Sequence, residues 1–121
     1  MNTNIFRIIA FLTLILLVTS CGKQASAEDI VNDFIETNAL HPEKIVQREF
    51  QRLDSTKFIN DSVVMVMQLN GCELYKADID YKVKTSGRML YFLRLKYVYE
   101  GDTLRNTFYL DEQLENVVSF K

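Results

Sequence analysis

A single histidine, His41, and two cysteines, Cys21 and Cys72, are all the imidazole and thiol in this 121-residue chain. An all-protein zinc site needs three or four such ligands, so no metal centre of that kind is expected. Proline occurs once and tryptophan not at all. There is no glycine-rich phosphate loop, no nucleophile elbow, no internal repeat and no low-complexity tract. With no catalytic signature, the chain reads as a non-enzyme that needs no cofactor. Charge of one sign is also missing: 14 basic residues stand against 16 acidic ones, a formal net charge of −2. So mild an acidity, with no basic stripe along the chain, offers nucleic acid nothing to bind.

Residues 1–20 are as selective. They contain no acid and one base, Arg7, and Ile8 to Val18 is apolar apart from Thr13. As a helix this run covers only about 16 Å, against a bilayer core of about 30 Å. A basic start, a short apolar centre and small residues before a break have the form of a secretory signal rather than a membrane span.

The break falls at Val18-Thr19-Ser20-Cys21. This tetrapeptide resembles the lipobox of bacterial lipoprotein signal peptides: an aliphatic residue, two small residues and cysteine. The resemblance covers the first 21 residues and implies diacylglyceryl transfer to the Cys21 thiol. It further implies cleavage between Ser20 and Cys21 and acylation of the new amino terminus. Two or more acyl chains hold a protein stably on a membrane where one does not. The implied partner is thus the lipid bilayer, reached through acylated Cys21, with a membrane-proximal envelope protein as a further candidate. Gly22 in place of aspartate, and the lack of an acidic run after Cys21, fit an outer-membrane lipoprotein facing the periplasm. Removal of residues 1–20 takes away Arg7 and moves the formal charge to −3, 13 bases against 16 acids. Acylation of the Cys21 thiol would also leave Cys72 without a disulfide partner, expected as a small buried hydrophobe.

Behind the signal, Gly22 to Ser26 reads as a polar linker of at most about 17 Å. Residues 27–121 form one domain. Ser26-Ala27-Glu28-Asp29 has the form of a capping box, and Ile30, Val31, Phe34 and Ile35 recur at helical spacing. A helix is therefore expected over 27–39, ending before His41-Pro42. Residues 43–54 fit either a helix or an edge strand, with the alternation of Val46, Arg48, Phe50 and Arg52 favouring the strand. Asn70-Gly71 is a strong hairpin signal, so 62–69 and 75–83 are expected to pair around it. Tyr75, Tyr81, Tyr91, Tyr97 and Tyr99 then fall on one sheet face. A three-residue loop, Ser86 to Arg88, sets Asp80 against Arg94 and Asp78 against Lys96. A turn led by Gly101 sets Leu95 against Phe108 and Leu93 against Leu110, and a last strand covers about 116–120. The fold class is α+β: one N-terminal helix on a five- or six-stranded antiparallel meander.

Each chemistry-bearing residue has a plainer role beside its functional one. Asp78 and Asp80 share a strand face at metal-binding separation, but each has a cation expected opposite. His41 lies at a helix end with no nucleophile or acid paired to it. The tyrosines could floor a pocket, or could simply be the apolar face beneath a helix. Tyr97 and Tyr99, near one sheet end, are expected to keep their hydroxyls wet and form the candidate partner or ligand face. The stretches "LDST", "YKADIDYKVKTSGRMLYF" and "DTLRNTFYLDEQLENVVSF" resemble those of small cell-envelope lipoproteins of the Bacteroidetes type. That resemblance carries no activity over to any residue. Two functions are compatible with these features: an anchored, non-catalytic interaction, adaptor or inhibitor module, or a small-ligand binder with a cystatin- or NTF2-like pocket between helix and sheet.

Overall fold

The computed structural model describes residues 22–121 as two α-helices and a five-stranded antiparallel sheet. Residues 22–38 form helix α1. A short 3-10 turn, Pro42–Lys44, leads into β1 (Val46–Phe50) and β2 (Asp54–Thr56). Helix α2 (Asp61–Asn70) follows, then β3 (Leu90–Tyr99), β4 (Asp102–Leu110) and β5 (Val117–Phe120). The sheet order is β1-β3-β4-β5, and β2 runs along the same edge of β3 as β1. The expected signal segment, residues 1–20, and Cys21 lie outside the described residues.

Strand β3 organises the rest. Its odd residues Tyr91, Leu93, Leu95, Tyr97 and Tyr99 face α1, where Ala27, Val31 and Ile35 are fully buried at successive turns. Its even residues Leu90 and Phe92 face the other way, against Val64 and Met67 of α2 with Tyr109 and Val118. The sheet therefore has an apolar cluster on each face. On the α1 side Phe34 sits among Tyr75, Tyr81, Phe108 and Phe120, with ring centroids 5.6–6.2 Å away. Arg48 closes the near edge. Its guanidinium donates to the Ile45 and Pro42 carbonyls, to Asn32 Oδ1 at 2.8 Å and to Glu36 Oε1 at 3.0 Å. One planar fork thus joins β1, the 3-10 turn and α1.

Several expectations need correction. The expected linker at 22–26 is helical, so the helix is already formed at Gly22, the first described residue, rather than starting at residue 27, and Ser26 to Asp29 is helix interior rather than a cap. Gln24, within that stretch, donates from Nε2 to the Gln51 carbonyl (3.0 Å) and accepts from Leu53 N–H at Oε1 (2.7 Å). It satisfies the backbone where the edge passes from β1 to β2, which explains why these residues are ordered against the domain.

Residues 62–69, expected as a strand, belong to α2. Asn60 caps that helix by accepting from Val63 N–H at 3.0 Å, and Gly71 follows it at φ 63°. A glycine at positive φ serves a helix C-terminus as readily as a hairpin turn, and here it does the former. With no strand at 62–69, residues 75–83 have no hairpin partner. They cross outside the sheet, and their one bridge joins Tyr75 to Ala39, just after α1. The edge of β3 expected for them is held by β1 and β2, as the alternation in 43–54 suggests. The ladder of Asp80 with Arg94 and Asp78 with Lys96 is therefore not formed.

The β3–β4 turn is Glu100-Gly101, at φ 48° and 87°, not a turn led by Gly101. Leu93 accordingly pairs with Phe108 and Leu95 with Asn106. This displacement is two residues, so every side chain keeps its expected face while changing its partner.

Two outcomes test the placement of α2. Asn60→Ala removes the cap and lowers stability by about 1 kcal/mol in urea unfolding, with an unchanged m-value. Asp61 accepts from Ser86 N–H (2.7 Å) and Oγ (2.8 Å), and these bonds hold its carboxyl below the usual value of 3.8. A lowered folded pKa gives stability that is present above the unfolded value and lost as pH falls through the folded one. Asp61→Asn should therefore flatten the loss of stability below about pH 4, measured by acid-unfolding midpoints at several pH values.

Candidate functional site

The residues expected to meet a ligand separate on folding. Tyr97 is not wet: it is 2% exposed, and its hydroxyl donates to Oδ1 of Asn106. Asn106 Nδ2 in turn donates to the Lys121 carbonyl at 3.2 Å. The cause is local. Asn106, a polar residue on the α1 side of β4 opposite Leu95, lies within reach of the phenol, while Ile45 joins the same buried cluster. Burial pushes the Tyr97 phenol up to about 12, with Cys72 adding to the effect. Tyr99 is partly buried against the same core. The pair forms no open face.

The other tyrosines behave alike. Tyr75 and Tyr81 are buried among the rings around Phe34. Burial raises Tyr81 to about 12 and raises Tyr75 further, and the Tyr75 hydroxyl has no hydrogen-bond partner among the described residues. The tyrosine-rich face is thus core, packed against α1.

Recesses occur instead at the margins. A groove of about 350 Å³ flanks α1, where Asp33, Asn38, Lys76, Asp80, Tyr81 and Lys82 meet. A second, of about 390 Å³, lies where Lys23 and Gln24 face Arg52, Leu53, Asp54 and Tyr91. Both are open, and their charges are mixed. Asp80 contributes to the first groove beside Lys76 and Lys82, rather than pairing with Arg94 as expected. His41 caps nothing with its side chain; it is on the surface, Nδ1 3.5 Å from Glu43 Oε1. Cys72 is a free, half-buried thiol packed at the margin of the main core. Among the described residues no three His, Cys, Asp or Glu side chains converge as metal ligands.

One arrangement escaped the sequence reading. Arg94 and Lys96 on β3, Arg105 on β4 and Lys121 after β5 share the sheet face opposite α1. Their even spacing on β3 is visible in the sequence, but the acidic total conceals it. Comparison of the chain with protein-family models, with curated proteins and with solved structures returned no match.

Tyr97→Phe distinguishes a buried strut from a ligand contact. It leaves Asn106 Oδ1 without its donor and costs about 1–3 kcal/mol. A phenol with a raised folded pKa contributes stability that is complete below its ordinary value of 10 and lost as pH rises through 12. Alkaline absorbance titration of the variant should lack one of the phenols that ionise late in the native protein.

Proposed function

We propose that this chain is a lipoprotein of the bacterial cell envelope, anchored through acylated Cys21 and acting there as a non-catalytic interaction or adaptor module. The observation that carries the reading is Val18-Thr19-Ser20-Cys21 closing a run too short to span a bilayer. The chain behind it supports the same reading. Helix α1 is already formed at Gly22, next in sequence to Cys21, and Gln24 fastens it to the sheet edge. A domain so attached sits directly on the headgroups, most naturally at the outer membrane with its surface toward the periplasm. The filled interior between α1 and the sheet favours contact through the outer surface over a ligand held inside. Strand addition at β1 is disfavoured, because Gln47 at φ 52° bulges that edge and Gln24 occupies the backbone beyond it.

Processing in the native host tests the anchor. Cys21→Ser should abolish incorporation of labelled fatty acid and leave the precursor uncleaved at Ser20-Cys21, as seen by mass spectrometry. A variant processed and membrane-bound like the parent refutes it.

A further inference from the structure

Helix α2 is apolar nearly all the way round: Asp61, Ser62, Gln68 and Asn70 are its only polar residues. A helix of that composition is normally buried on every side. Yet the domain buries only Val64 and Met67, leaving Met65 at 59%, Val66 at 54% and Leu69 at 79% exposure. Phe58, in the connection from β2 into α2, is 92% exposed. Contiguous apolar exposure of this kind marks a surface that something covers.

The surroundings indicate what covers it. Helix α2 crosses only one end of its sheet face, over Leu90, Tyr109 and Val118. Beyond it the same face carries Arg94, Lys96, Arg105 and Lys121, none of them in an ion pair among the described residues. Lys96 stands directly across from Arg105, an arrangement that costs folding free energy, and Glu49 on the other side of Lys96 is the nearest acid in that row. The Arg94 guanidinium lies over the Phe92 ring, 5.2 Å from its centroid. Two shallow recesses join the charged and apolar halves. One, of about 220 Å³, lies among Arg94, Lys96, Arg105 and Lys121; the other, of about 340 Å³, runs from Arg94 and Lys121 to Ile59 and Tyr109 beside α2.

We propose that this face, the outer side of α2 with Phe58 and the adjoining cations, docks on an anionic lipid bilayer. An apolar helix side entering the acyl boundary beside lysines and arginines at headgroup level is the chemistry that binds such a surface. The described chain begins at the same end of the sheet, on the face opposite α2: Gly22 is two residues from Gln24, which sits on Leu53, and Lys23 reaches the Tyr91 hydroxyl. An anchor at Cys21 would therefore hold the α2 end of the sheet toward the membrane. The inference is compatible with the anchored reading but does not need it, since it rests on α2 and the cations alone.

The absence of tryptophan allows a direct test. The full-length gene carrying Phe58→Trp is expressed, and the isolated protein is combined with vesicles of phosphatidylcholine, alone or mixed with phosphatidylglycerol. Mass spectrometry records whether the protein is acylated. The indole emission should shift to the blue and be quenched by brominated lipid, more strongly with phosphatidylglycerol present. Arg94→Gln and Arg105→Gln should each lower the ratio of docked to undocked protein about fivefold. Leu69→Ser should lower it as well while leaving the unfolding midpoint near that of the parent. Emission that stays water-like on both kinds of vesicle overturns the proposal. So does a blue shift that needs no lipid and grows with protein concentration, which would make a second copy of the chain the occupant. Missing acyl mass defeats the anchored reading alone, because quenching still decides this one.

Discussion

The arrangement of the molecule depends on a change of character along one side of β3. On its odd side, Tyr91 to Tyr99 is continuously apolar, and α1 packs against it with Ile45, Tyr75 and Tyr81. On the even side, Leu90 and Phe92 are apolar but Arg94 and Lys96 are not. Burying a guanidinium or ammonium without a partner costs several kcal/mol. Helix α2 is therefore confined to the Leu90 end, where Tyr109 and Val118 complete its seat. The same change that limits α2 exposes the cations beyond it. Both the two-layered half of the domain and its open half follow from the step between Phe92 and Arg94.

That step is readable in the sequence, and so is much of what it governs. The alternation in 89–99 and 103–110 is strict enough to place β3 and β4 and to assign their faces. The spacing of Val31, Phe34 and Ile35 announces α1. The last strand follows from the apolar run after the polar turn at Asp111 to Glu115, whereas 43–54 fits a helix or an edge strand and its alternation only leans toward the strand observed at 46–50. The error at 62–69 came from a residue pair with two meanings. Asn-Gly supplies positive φ, and both a tight hairpin and a helix C-terminus require it. The distinguishing signal lay at the other end, where Asn60-Asp61-Ser62 clusters three residues of the kind that begin helices. Once 62–69 is helical, 75–83 has no strand beside it, and the expected carboxylate ladder goes with that pairing.

The tyrosines failed for a different reason. Alternation tells which side of a strand a residue takes, but not how far along that side the covering helix reaches. Tyr97 lies on the side expected of it, but its hydroxyl meets Asn106 instead of water. Asn106 takes that side of β4 in the expected and the observed register alike, so burial of the pair under the helix, not register, closes the hydroxyl off from water. A two-residue displacement preserves faces and so leaves no trace in a hydrophobic pattern. The cations were missed through averaging: a net charge describes the whole surface, whereas Arg94, Lys96, Arg105 and Lys121 act as neighbours.

Averaging also bears on how an acidic protein can approach an acidic membrane. At physiological ionic strength the Debye length is about 8 Å, so exposed charges farther away than that are largely screened. The carboxylates on the α1 side, such as Asp33 and Glu36, lie behind the full thickness of helix and sheet from any surface touching α2. The cations beside α2 would be at the headgroups themselves. An overall charge of −3 for residues 21–121 then has little influence on docking, while its local exception has much. Held beside Cys21 by the Gln24 contacts with Gln51 and Leu53, the domain would have restricted freedom to turn over its anchor. Orientation, more than affinity, is what such a face adds to a protein already tethered: it determines which side remains in water, and on this reading that side is the surface of α1.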